Sequence, residues 1–195
     1  MLKRLFKKNS IEQHFWDWFS RNNEKYHKLV TSEQEQLFDE LHEQLMRVHN
    51  DLTFEFSSLH MGLREFVLSG EGIIEMIPVV QGLVDSAPPL EGWKITAFRP
   101  RMDTDIQVNF GNYLLKADNV TFDYETIPEG TMLDITLFIP QYSEEMKPAI
   151  YLLLDGILGE YDVMTRIRFI EFRLSGRSLG IPLKQLPIMV DNLQR

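Results

Sequence analysis

The chain has 195 residues, no cysteine, 44% apolar and 25% charged side chains, and a net charge of −9. Without thiols there is no disulfide scaffold, thiolate nucleophile or cysteine metal site, and 13 Phe with 3 Trp exclude a disordered chain. An acidic chain without a long basic stripe is a poor match for a phosphate backbone, so no nucleic-acid partner is expected.

Residues 1–9 read as a flexible basic start. Lys3, Arg4, Lys7 and Lys8 cluster there, but polar residues follow where a signal peptide needs an apolar core, so the default compartment is the cytoplasm. A short peripheral membrane anchor through residues 2–8 is the alternative reading, on Leu2, Leu5 and Phe6. No apolar run approaches the ~20 residues that span a bilayer. Residues 10–50 predict a helical hairpin. Ser10 and Gln13 have capping-box spacing, and Ile11, Phe15, Trp18, Phe19 and Tyr26 follow on one helix face. Thr31 or Ser32 is expected to cap the second helix, whose stripe is Leu37, Leu41, Leu45 and Val48.

From residue 52 the period changes from helix to strand. Alternation at 52–56 and an apolar run at 64–69 predict two strands; 73–86 predicts a helix with Pro78 near its first turn, and 93–98 a third strand. The same order recurs at 119–174: two alternating strands around a Pro128-Glu129-Gly130 turn, a helix through Ile150, Leu154 and Leu158, and a long strand from about Asp162 to Leu174. This repeat is one of element order, not of residue identity. A small hairpin is expected between the copies around Gly111, and a turn with a short helix after Pro182. The expected fold is therefore α+β: one domain in which two strand-strand-helix-strand units form a mostly antiparallel sheet, with helices packed over one side.

The chemistry-bearing residues are few. Arg99, Arg101, Asp103 and Asp105 follow a strand directly, where two arginines can fork onto an anion and Asp-x-Asp can hold a hydrated divalent ion. Glu160 and Asp162 form a candidate acid and base pair. The bland readings are a self-neutralising loop and a helix end. Residues 175–180 resemble an anion loop but lack a strong following helix, so a surface loop is expected. His42 and His49 stand seven apart on a helix, about 10.5 Å of rise, so they cannot share one metal ion. With no Gly-rich phosphate cradle, Walker lysine or assembled triad, no catalytic residue, metal site or cofactor is assigned. Trp16 falls off the apolar stripe of its helix and is the expected contact residue for a protein partner.

Four segments together carry a resemblance: Phe15-Trp16-Asp17-Trp18-Phe19, Glu65-Phe66-Val67-Leu68-Ser69, Ala97-Phe98-Arg99-Pro100-Arg101 and the run from Leu154 to Met164. They resemble a bacterial cytoplasmic family known as a domain of unknown function, sometimes fused to domains like the protein regulator of ribonuclease E. The resemblance implies a bacterial regulatory or interaction context and brings no catalytic residues. The expected function is thus a non-catalytic regulatory or protein-interaction module. The alternative is a binder or hydrolase of a small anionic or metal-phosphate ligand at the loop from Arg99 to Asp105.

Overall fold

The computed structural model describes residues 10–102, 105–175 and 180–194, and the fold is α+β. The chain divides into two compact units, Met1–Ala97 and Phe98–Arg195. The division falls at a strand end rather than in a Gly/Ser linker.

The first unit begins with α1 (Ile11–Lys28). The Ser10 hydroxyl accepts from the Gln13 N–H at 3.2 Å and the Gln13 side chain accepts from the Ser10 N–H at 3.1 Å, so the expected capping box is present. The cap expected at Thr31 or Ser32 is not. Those residues open a 3-10 turn with no side-chain cap, and α2 (Gln34–Met46) continues from it. Then come β1 (Thr53–Phe56), β2 (Arg64–Ser69), α3 (Ile77–Asp85) and β3 (Trp93–Ala97). They form a sheet in the order β1-β2-β3, with β1 antiparallel and β3 parallel to β2. The core is aromatic: the Phe19 ring lies 4.9 Å from Phe66, 5.3 Å from Trp93 and 5.7 Å from Trp16.

That core corrects the expectation for Trp16. It is only 2% exposed, and its indole N–H donates to the Leu83 carbonyl at 2.7 Å. The apolar face of α1 is broader than a single stripe, because Phe15, Trp16 and Phe19 are all buried side by side. Trp16 is therefore no surface anchor.

The second unit holds a two-stranded hairpin, β4 (Gln107–Phe110) and β5 (Tyr113–Lys116). It continues with β6 (Thr121–Thr126), β7 (Leu133–Ile139), α4 (Lys147–Leu158), α5 (Glu160–Arg166), β8 (Ile167–Leu174), β9 (Ile181–Pro182) and α6 (Leu186–Asp191). The four-stranded sheet runs β8-β7-β6-β9. Here too the second strand has an antiparallel neighbour before it and a parallel one after it. A helical crossover returns the chain to the end where the previous strand began, so the next strand runs parallel. Among the described residues the strands thus form three mixed or antiparallel sheets rather than one mostly antiparallel sheet.

The strand expected from Asp162 starts five residues later, because residues 160–166 are helical. Val163 and Thr165 suggest extended chain, but Gly159 redirects the backbone and Glu160 and Asp162 stand in the favoured acidic first turn of a helix.

The two crossover helices share residues as well as position. Glu75, Met76, Pro78, Leu83 and Asp85 recur as Glu145, Met146, Pro148, Leu153 and Asp155. Each set begins with a 3-10 turn that buries its Met, and each puts its Pro at the helix start, where the missing N–H leaves no bond unmade. After Asp85 the first helix stops ahead of Pro88 and Pro89. After Asp155 the second runs on to Leu158 and turns into α5.

Candidate functional site

The extension after Asp155 organises a dense charge cluster of the second unit. Gly159 joins α4 to α5 at φ 84°, in the left-handed region that strains any side chain. A Cβ there would also lie 3.2 Å from the Arg101 nitrogen and 3.5 Å from the Arg99 carbonyl. The close approach lets the segment after Phe98 strap onto the junction. Arg99 N–H donates to the Glu160 carboxylate at 3.0 Å, Glu160 N–H donates to the Arg99 carbonyl at 3.0 Å, and Met102 N–H donates to the Gly156 carbonyl at 2.7 Å. Phe98 sits at φ 64°, buried, with its ring 5.5 Å from Tyr161.

The side chains complete the strap. The Arg99 guanidinium lies 3.3 Å from the Asp155 carboxylate and 3.8 Å from that of Glu160, whose side chain is fully buried. Arg101 donates to the Leu158 carbonyl at 3.2 Å, one of the carbonyls that a helix end leaves without an intrahelical partner. Its fork grips Asp191 through two bonds of 2.9 and 3.0 Å and also reaches Asp162 at 3.1 Å. Hydrogen bonding to Asp191 holds the Arg101 guanidinium above its ordinary pKa despite partial burial.

Arg99, Arg101, Glu160 and Asp162 therefore converge, as the functional reading of those loops requires. They converge on one another: two guanidiniums meet four carboxylates, and an incoming anion would have to displace Asp191 or Asp162. Asp155 and Asp191, outside the expected set, complete the cluster. Asp155 carries one signal, a carboxylate within the apolar run 152–158, whereas Asp191 carries none. Asp105 pairs with Lys184 at 3.3 Å instead. Asp103, residues 176–179 of the anion-like loop and residues 2–8 lie outside the described residues. Beside the cluster, Asp162, Arg166, Val190, Asp191 and Leu193 line a small cleft of about 190 Å³. Among the described residues, no three His, Asp or Glu side chains are placed to hold a metal ion.

A second surface is open rather than closed. β7 alternates buried and less buried positions, so one of its faces is packed and the other is presented beside β6 and β8. Register places Glu125, Asp134 and Phe169 in one cross-strand row of the outer face, and Asp123, Thr136 and Glu171 in the next. These residues line a groove of about 410 Å³. Phe169 is 60% exposed.

No family model, curated protein or solved structure matches the chain. Among the described residues, no helix is long and apolar enough to cross a membrane.

Proposed function

We propose that the protein is a non-catalytic interaction module with a regulatory role in the bacterial cytoplasm, and that its partner is another protein. The observation that carries this reading is the open face of β6, β7 and β8, where a large aromatic side chain and four carboxylates border one groove. Exposed aromatic residues are common anchors of protein interfaces. The sequence resemblance to a bacterial family of unknown function supplies the regulatory context. The alternative, a small-anion site at the strap, draws its support from the convergence of Arg99 and Arg101.

Two measurements separate the readings. Cross-linking in bacterial lysate should capture a partner with the wild type and lose it in Phe169→Ala. A thermal-shift screen against nucleotides, sugar phosphates and divalent ions should show no stabilisation that Arg101→Ala removes. A partner retained in full by Phe169→Ala counts against the module at this face, and an Arg101-dependent shift establishes the small-anion reading instead.

A further inference from the structure

We infer that the outer face of β6, β7 and β8 receives an arginine-bearing extended segment of a protein partner, an inference that rests on the interaction-module reading above. The charges on this face are not balanced. Asp134 is gripped by Arg168 and Glu171 by Arg173, but the carboxylates of Asp123 and Glu125 have no hydrogen bond or ion pair among the described residues. Glu125 also stands directly across the β6–β7 ladder from Asp134, and like charges in that position repel. Asp123 faces Thr136, whose hydroxyl donates to Glu171 and so offers it nothing. Two exposed carboxylates, one of them in a repulsive pair, thus wait for cations that the described residues do not supply.

The aromatic neighbour specifies the kind of cation. Phe169 closes the row that begins with Glu125 and Asp134, two strand spacings or about 10 Å from Glu125. A guanidinium can pair with a carboxylate in two bonds and stack on a ring face, whereas an ammonium is a hydrated point charge with no flat face to stack. Asp123 and Glu125 are two positions apart on one strand, about 7 Å, which matches alternate side chains of an extended segment. The surrounding unit, residues 98–195, carries 14 acidic and 10 basic side chains, so its field draws a cationic segment and repels phosphate polymers and anionic lipid.

The test is fluorescence anisotropy of fluorescein-labelled hexa-arginine with the full chain at low salt, alongside hexa-lysine. Hexa-arginine should bind more tightly than hexa-lysine. Asp123→Asn with Glu125→Gln should weaken it about fivefold or more, and Phe169→Ala about threefold. The double variant Asp39→Asn, Glu43→Gln removes the same charge from exposed positions on α2 and should change affinity less than about twofold. Equal losses in the two double variants, equal binding of both peptides with Phe169→Ala silent, or no binding at all would overturn the inference. So would self-association of the protein alone that Asp123→Asn with Glu125→Gln abolishes, since the occupant is then a second copy. If lysate cross-linking captures a partner that Phe169→Ala loses while the peptide fails, the module reading stands and only the arginine-bearing occupant is wrong. If the peptide behaves as expected and no partner is captured, the module reading is the one that fails.

Discussion

The two units are wired alike and filled differently. Each sets a β-hairpin, then a helix that starts with a 3-10 turn and Pro, then a strand parallel to the second strand of the hairpin. Yet the first packs stacked and edge-on rings, while the second packs Leu, Ile and Val between β7, α4 and α6. Element order follows from periodicity and helix starts; core chemistry is a separate choice. Two arginines, Arg64 buried and Arg99 half-buried, diverge in the same way. Arg64 in the first unit is bonded to the His27 and Ser57 carbonyls, at 3.1 and 3.0 Å, the former in the last turn of α1 where helix dipole and charge attract. Arg99 in the second is held by Asp155 and Glu160 carboxylates. Burial alone lowers the Arg64 pKa.

The largest effect should come from the aromatic core. Phe19 is fully buried and touches rings on α1, β2 and β3, so Phe19→Ala should cost about 3–5 kcal/mol. Urea denaturation followed by tryptophan fluorescence reads this directly, because Trp16, Trp18 and Trp93 all belong to the first unit. A loss below about 1.5 kcal/mol, the range of volume-conserving swaps, would mean that the rings are not packed as a core.

Next in size is the strap. Glu160→Gln leaves Arg99 with one carboxylate fewer in a buried setting, and breaking a buried pair from one side typically costs about 3 kcal/mol or more; the retained Asp155 should keep this loss at or below that of Phe19→Ala. Its effect should register in the tyrosine absorbance of the second unit, which holds Tyr113, Tyr124, Tyr142, Tyr151 and Tyr161. If the fluorescence transition of the first unit moves by the same amount, the two units unfold together and the division between them has no energetic meaning. Gly159→Ala is a smaller perturbation of the same place. A left-handed alanine against the Arg101 nitrogen should cost about 1–3 kcal/mol, whereas Gly82→Ala, in open space on α3, should be neutral or stabilising.

The sequence carried the wiring well and the cluster in part. Period-2 alternation located β1, β6 and β7, and helical spacing located α1 and α4, because one buried face imposes a pattern that survives without tertiary information. What failed was anything set by a partner distant in sequence. Trp16 looks exposed from α1 alone, since its covering carbonyl is 67 residues away at Leu83. α5 reads as strand because its cause is Gly159 in a left-handed bend and a bond from Glu160 N–H to Arg99. The strap shows the same division: Arg99, Arg101, Glu160 and Asp162 stand out locally, while Asp191 joins through a contact 90 residues long. The shared residues of the crossovers are hidden in the sequence, because five identities spread over eleven positions do not stand out until the strands on either side are aligned.

The smallest prediction concerns one feature that the units hold in common. In each, a carboxylate on the second strand pairs with a cation on the parallel third strand: Glu65 with Lys94 at 2.8 Å, and Asp134 with Arg168. Burial pushes the Glu65 carboxyl up, but hydrogen bonds from Lys94 and Thr96 outweigh it and leave it below its ordinary value. Arg168 lowers Asp134 through hydrogen bonding. Because both carboxyls are depressed in the folded protein, their stabilisation is fully present above the unfolded values near pH 4 and is lost as pH falls through the folded ones. Wild type should therefore exceed Glu65→Gln and Asp134→Asn in urea midpoint at pH 6, and each gap should close toward pH 2. Raising the salt to 1 M should shrink the Asp134 gap more, since the Glu65 side chain is the less exposed of the two. A gap that stays constant down to pH 2 would show that the pair acts through packing rather than charge. If only one of the two gaps closes, the shared cross-strand pair is a resemblance of position and not of energetics.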